Sequence, residues 1–433
     1  MQQAGPLTQK RIYGFWWPLA MTWVMMSLEG PFIAAVIARL PDPKFNLAAY
    51  GVAFAFAMLL ESPIILIMSA STALVHDRLS LHKLRRFTYA LNLGITLAMG
   101  FLVFTPAFGW LMEGLIGLPH EVAALTHDAA IILLPWPAAI GYRRFYQGIL
   151  IRGGLTRRVA YGTVVRLSSM ATVALVAAFT PGVVGAVAGA SALSAGVVME
   201  AIASRIMALG AVRKLLETPP LPGTRAESMT YGFIWKFYYP LALTSILTLG
   251  VNPVVTFFLG QSRLALESLA AMPVVNSLVF LFGSVGFAFQ EVGIALVGAR
   301  REGYLPLRRF AAIMAVSASG GLAIVAFTPL LGLWLEDVSG LTHELAAVAA
   351  VPIRILSIMP ALAVIISFQR AVLVAAKETV PITLATVIEV TGIVAGLELG
   401  IRGLYLVGAT AAGCAFLLGR IAAILFLLRK ART

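Results

Sequence analysis

Twelve apolar runs, each near the roughly 20 residues that carry a helix across ~30 Å of hydrocarbon, leave this sequence few folds to choose from. Backbone that enters lipid must satisfy its own N–H and C=O groups, so each run is expected to be a helix rather than an open strand. Between charged or Pro/Gly-marked breaks the runs fall at residues 14–38, 47–75, 87–111, 124–151, 159–180 and 183–209, then 233–259, 266–297, 310–335, 345–376, 380–396 and 404–428. With 60% hydrophobic and 12% charged residues, the 433-residue chain lies outside the soluble range and in the polytopic membrane class. The expected fold is all-α and polytopic, with twelve transmembrane helices. The first run lacks an AxA-like cleavage site and exceeds a signal-peptide core, so it reads as an uncleaved span.

The sequence also repeats. Trp16-Trp17-Pro18-Leu19-Ala20-Met21-Thr22 returns as Tyr238-Tyr239-Pro240-Leu241-Ala242-Leu243-Thr244 at an offset of 222, which also carries Pro31 onto Pro253. At 223, Arg85-Arg86-Phe87 meets Arg308-Arg309-Phe310, Phe104-Thr105-Pro106 meets Phe327-Thr328-Pro329, Pro137 meets Pro360, and His120-Glu121 meets His343-Glu344. So steady a register across spaced punctuation marks two homologous halves. The expected organisation is a six-helix lobe at 1–213, a linker at 214–230 around Pro219-Pro220-Leu221-Pro222-Gly223, and a second six-helix lobe at 231–433. An even number of spans per half makes the halves parallel repeats, an arrangement found in transporters.

A net charge of +13 points to nucleic acid in a soluble protein, but here it follows topology. The N-terminal tail and alternate loops hold 20 Lys and Arg, from Lys10 and Arg11 to Arg429, Lys430 and Arg432, and the opposite loops only Arg39, Lys44, Arg263 and Arg402. Both termini are therefore expected in the cytoplasm, in a multi-pass protein of the plasma or inner membrane. The partners expected are the lipid bilayer and a small-molecule substrate, with no nucleic acid; nothing sets an oligomeric state, and a monomer is expected. The single Cys414 forms no disulfide framework or thiolate metal site, and HExxH and GxxxxGK[ST] are both missing, against a zinc hydrolase and an ATP-driven pump. No metal or organic cofactor is expected.

Ionisable residues within spans cost at least about 2.5–3.5 kcal/mol each on insertion scales, so they should face protein, partner or water. Lys236, Arg205 and Arg420 lie near span ends and are expected to snorkel. Glu29 and Glu61 each stand two residues before a proline, Pro31 and Pro63, where a freed carbonyl and a bend favour a cavity wall. Arg354 precedes Pro360, while Arg143 and Arg144 follow Pro137; being ~100° apart on a helix, these two cannot face the same way, so one can serve a cavity while the other pairs structurally. Asn252, Asn276, Gln290 and Glu291 add polar groups in spans 7 and 8, and a central cleft between the halves accounts economically for these positions. The competing reading is ordinary interhelical hydrogen bonding, which weighs most for Asn252 and Asn276. Glu121 and Glu344 suit helix N-termini as dipole caps.

Two parallel six-span halves with Phe15-Trp16-Trp17-Pro18-Leu19-Ala20, Leu47-Ala48-Ala49-Tyr50-Gly51-Val52-Ala53-Phe54, Phe237-Tyr238-Tyr239-Pro240 and Val351-Pro352-Ile353-Arg354-Ile355-Leu356-Ser357 resemble the superfamily of multidrug and toxic compound extrusion (MATE) transporters, polysaccharide exporters and lipid flippases. The wording is most similar to its progressive ankylosis branch. The resemblance implies a MATE-like pair of six-helix lobes, working by alternating access. For the ankylosis branch it implies export of a small anion such as citrate, pyrophosphate or a nucleotide; for the drug-exporting branch, organic cations exchanged for sodium or protons. The span 1 sequence Ser27-Leu28-Glu29 contains no Asp-based proton site.

The expectation is thus a secondary transporter, not an enzyme. Arg354, Arg143 and Arg144, with Asn252 and Asn276, are the substrate-binding candidates, and Glu29, Glu61 and Glu291 the candidates for a coupling Na+ or H+. The alternatives are a cation-coupled drug exporter using those acids, a lipid-substrate flippase, a membrane-embedded enzyme, which the scattered histidines do not support, and a scaffold, which would not need so many buried charges.

Overall fold

The computed structural model describes residues 7–27, 29–37, 39–115, 118–219, 229–298, 301–339, 341 and 343–431. Among these the chain forms α1 (Gln9–Ser27), α2 (Glu29–Ile37), α3 (Pro43–Glu61), α4 (Ile67–Leu74), α5 (Arg78–Phe104), α6 (Ala107–Gly109), α7 (His120–Ile132), α8 (Trp136–Arg152), α9 (Thr156–Phe179), α10 (Gly185–Met207) and α11 (Leu209–Glu217). After the partly described linker, of which residues 220–228 lie outside the described set, come α12 (Tyr231–Gly260), α13 (Ala265–Leu296), α14 (Tyr304–Phe327), α15 (Leu330–Gly332), α16 (His343–Ile355), α17 (Met359–Ala375), α18 (Val380–Glu398) and α19 (Gly408–Ala431). Among the described residues, eleven stretches are long and apolar enough to cross a membrane, and α1 with α2 falls on the first predicted span. The protein is an all-α integral membrane protein.

Proline sets the breaks inside the spans. It lacks an N–H and its ring crowds the carbonyl four residues back. Around Pro63 the second span turns through Ser62–Ile64 between α3 and α4. The fourth and tenth spans break at matched places: α8 begins with Trp136-Pro137, and α17 with Met359-Pro360. The bend expected at Pro63 is present, whereas Pro31 lies within α2.

The chain divides into two compact units, Met25–Ala242, and Leu243–Thr433 with Met1–Val24. The repeated aromatic word explains why helix heads cross the sequence boundary. In the second unit the Trp16 indole donates to the Val285 carbonyl at 3.1 Å and meets Phe310 edge-on at 5.7 Å, while Gln9 donates to the Pro306 carbonyl at 2.9 Å. In the first unit Tyr238, its counterpart, donates to the Pro63 carbonyl at 2.7 Å and packs edge-on against Phe87 at 5.5 Å.

Small residues let the last two helices of the second unit approach. Gly392, Gly396 and Gly400 recur every fourth residue on α18 and its extension, so they share one face. A Cβ on Gly396 would lie 3.0 Å from the Ala415 Cα of α19, and one on Gly392 3.0 Å from the Gly419 Cα. Such close backbone contact is how helices associate where no hydrophobic force separates lipid from protein. The repeat also persists in polar detail. Glu121 and Glu344 sit in the first turns of α7 and α16, as dipole caps should. The preceding histidines reach elsewhere: His120 Nδ1 lies 2.8 Å from Glu113 Oε1, and His343 Nδ1 2.9 Å from Glu336 Oε1.

Candidate functional site

The first unit gathers its ionisable side chains into one buried network. On α8, Arg143 and Gln147 lie one turn apart on a common face; on α9, Thr163 and Arg166 do the same. Both faces meet Glu200 of α10. Arg143 Nη1 donates to Glu200 Oε2, Gln147 Nε2 to Glu200 Oε1 at 3.0 Å, and Thr163 Oγ1 to the same oxygen at 3.4 Å. Arg166 Nη1 stands 3.7 Å from Glu200 Oε2, and its Nη2 donates at 2.5 Å to Oε2 of Glu29, the first residue of α2. Gly196 is what lets α10 lie so near α9, since a Cβ there would stand 3.0 Å from the Arg166 carbonyl oxygen.

Trp136 extends the network to Glu61. Its indole N–H donates to Glu61 Oε2, and its ring lies under the Arg166 guanidinium, 5.7 Å from the centroid, a distance at which a cation is held by the ring face. Exposure runs from 0% at Glu200 to 6% at Glu29, with Arg143, Arg166 and Glu61 between. Ions so far from water persist only when paired and hydrogen-bonded. The pairing here is incomplete. Three carboxylates (Glu29, Glu61, Glu200) face the guanidiniums of Arg143 and Arg166, Arg144 also acts electrostatically on Glu61, and Glu29 Oε1 has no hydrogen-bond partner among the described residues.

The sequence candidates separate accordingly. Glu29, Glu61 and Arg143 join in this network. Arg144, rotated away from Arg143, is half-buried, with Nη1 3.7 Å from Met68 Sδ. Arg354, Asn252, Asn276 and Glu291 belong to the other unit. There Arg354 is exposed and donates through Nε to the Ala326 carbonyl at 3.3 Å, Asn252 and Asn276 are exposed on α12 and α13, and Glu291 is buried on α13.

Sequence reasoning did not single out Arg166, Glu200, Trp136 or Gln147 as site residues. Two of them carry a signal in the repeat: at the offset of 223, Gln147 meets Arg370 (147 + 223 = 370) and Arg166 meets Glu389 (166 + 223 = 389), an ionisable residue in each case. The second unit indeed holds its own set. Arg420 Nε donates to Glu389 Oε1 at 2.7 Å, and Arg370 Nη2 lies 3.9 Å from Glu389 Oε2 and donates to Thr386 at 3.1 Å. Arg420 is thus paired with an acid rather than reaching for the membrane surface. Here two guanidiniums face one carboxylate.

Solved structures with this architecture include MATE transporters, and the fold is the one those proteins share. A model of the MatE family matches residues 18–176. Over 98% of this chain and 95% of the other, the protein is similar to a multidrug resistance MATE family transporter of the MOP superfamily in its outward-facing conformation, with a TM-score of 0.77 at 16% identity. It is similar over the same shares to a MOP superfamily transporter from Pyrococcus furiosus, described as having a binding pocket of reverse polarity that suggests a different function, with a TM-score of 0.76 at 16% identity. A Vibrio cholerae MATE transporter gives 0.71 at 12% identity, over 98% of this chain and 97% of that one. No curated protein sequence matches the chain.

Proposed function

We propose that this protein is a secondary transporter working by alternating access, which exports a small organic molecule in exchange for a proton or sodium ion. Both termini face the cytoplasm in this reading, as the basic loops require. The observation that carries it is the buried cluster of Glu29, Glu61 and Glu200 with Arg143 and Arg166 in the first unit, where Glu29 Oε1 has no hydrogen-bond partner among the described residues. A buried carboxylate short of a partner is tolerable when an ion neutralises it, and its release restores the cost, so occupancy by the coupling ion is linked to conformation. Glu29, with one oxygen on Arg166 and the other open, is the acceptor, and Glu61 the second.

The fold similarity to a multidrug transporter favours an organic substrate of the drug type. A second reading, an exported organic or phosphate-containing anion, is favoured by the base-rich set of the second unit. Arg370 and Arg420, partly accessible, outnumber Glu389 there, and Arg370 Nε lacks a hydrogen-bond partner among the described residues. That set replaces Arg143 as the anion site, since Arg143 is committed to Glu200.

The test is uptake into proteoliposomes of a fluorescent organic cation, citrate and pyrophosphate, with proton and sodium gradients imposed separately. Gradient-driven flux that Glu29→Gln uncouples supports the reading. Flux with an unchanged gradient dependence in both Glu29→Gln and Glu61→Gln overturns the assignment of the acids. Which substrate moves, and whether Arg370→Gln abolishes it, decides between drug and anion.

A further inference from the structure

We propose that the second unit holds an anionic glycerophospholipid in a groove along α14, α17 and the end of α19, with its phosphate at Arg308 and an acyl chain against the wall beyond. The groove has a volume of about 800 Å³. That lies within the span of small-ligand sites, about 300–1,000 Å³.

The repeat explains why the groove is open. At the offset of 223, Tyr89, Tyr142, Tyr146 and Arg205 correspond to Ala312, Ile365, Gln369 and Leu428, and all four of the latter line the groove. In the first unit those residues fill the equivalent place themselves. Tyr89 stacks on Tyr142 at 5.8 Å, Tyr142 lies tilted against Tyr146 at 4.9 Å, the Tyr89 and Tyr146 hydroxyls share a hydrogen bond at 3.0 Å, and Arg205 lies 5.0 Å over the Tyr146 ring. The second unit has cut this plug back to alanine, isoleucine, glutamine and leucine, so the space is left for another molecule.

The chemistry of the walls selects the occupant. They are chiefly apolar, and small residues of α14, such as Ala315 and Gly320, form the floor. Arg308 stands exposed at one end, has no ion pair among the described residues, and has exposed Arg429 one residue past Leu428 near the same end. From Arg308 to Ala323 the groove follows fifteen residues of α14, about 22 Å at 1.5 Å per residue. One leaflet of hydrocarbon is about 15 Å deep, so the groove is long enough to take the leaflet-length chain of a lipid whose headgroup sits at Arg308. Gln369 supplies an independent sign of a missing partner. This groove-lining residue is 4% exposed, its Nε2 donates to the Ile424 carbonyl at 3.3 Å, and its buried Oε1 has no hydrogen-bond partner among the described residues. A lipid glycerol hydroxyl or a water carried with the headgroup can donate to it. A transmembrane helix of another protein would cover the apolar wall but not answer the arginine. This binding does not depend on the transport reading.

The test is native mass spectrometry of the purified full-length protein, titrated with phosphatidylglycerol and phosphatidylcholine of matched chains. Phosphatidylglycerol should be retained preferentially. Arg308→Gln should reduce that preference about fivefold, the effect of one Arg beside an anionic lipid, while leaving the folded protein intact. Ala312→Tyr, at an exposed position, restores one part of the first unit's plug and should cut the occupancy of both lipids. Equal retention of the two lipids by the wild type, no change in Arg308→Gln, or full occupancy in Ala312→Tyr each overturns the proposal. So does a protein dimer that Ala312→Tyr dissolves, which would make the groove a seat for a second copy.

Discussion

The pair Arg143–Glu200 is the sharpest place to test how the first unit is held together. Arg143→Leu removes a guanidinium that is 2% exposed and leaves a carboxylate that is 0% exposed. Breaking one partner of a buried pair costs about 3–5 kcal/mol. Glu200 keeps Gln147 at 3.0 Å, Thr163 at 3.4 Å and the more distant Arg166 at 3.7 Å, so the low end applies. At about 2–4 °C per kcal/mol for a domain of 150–250 residues, a loss of about 3 kcal/mol lowers the melting temperature of the unit by roughly 6–12 °C. The double variant Arg143→Leu with Glu200→Leu removes both charges and refills part of the volume; it should recover most of that loss, with a coupling energy of about 2 kcal/mol between the sites. Arg144→Leu, beside it in sequence but half-buried against a thioether, should shift melting by much less. The measurement is thermal unfolding of the purified protein in lipid nanodiscs, followed by intrinsic fluorescence. If the two single losses simply add in the double variant, the pair is not coupled and the account of the network is wrong.

Two further outcomes follow from the packing. Gly396→Leu places a branched side chain where even a Cβ stands 3.0 Å from the Ala415 backbone, so α18 and α19 must separate; overpacking of about 1–3 kcal/mol should appear as lower yield and melting temperature, and Gly14→Leu, with nothing within 4 Å of its Cβ position, is the control that should be neutral. Trp16→Phe keeps the ring but deletes the donor to the Val285 carbonyl, and about 1 kcal/mol should be lost; unchanged stability would mean that the indole N–H does not anchor α1 in the second unit.

Much of this molecule is decided along the chain itself. Apolar run length dictates helices because lipid offers no partner for backbone polar groups, and proline marks some of their breaks, at Pro63, Pro137 and Pro360, while Pro18, Pro273 and Pro352 lie inside continuous helices. The internal repeat, being a property of spacing, shows the duplicated half and pairs Pro137 with Pro360, which the structure places at matching helix starts.

Only the tertiary structure decides which charges meet. Glu29, Arg143, Arg166 and Glu200 come from four helices, and the sequence holds the span depth of each but not its rotation about the helix axis. A turn of ~100° separates Arg143, sealed against Glu200, from Arg144, which is not, although the two are neighbours in sequence. Likewise Arg354 carries a distinctive sequence word yet lies exposed, while Arg166 and Glu200, which carry none, are at the centre of the network. Charge pairing inside a membrane is long-range in sequence and short-range in space, so the packing of helices, through contacts as small as Gly196 against the Arg166 carbonyl, determines whether an ionisable residue holds the fold or binds an ion.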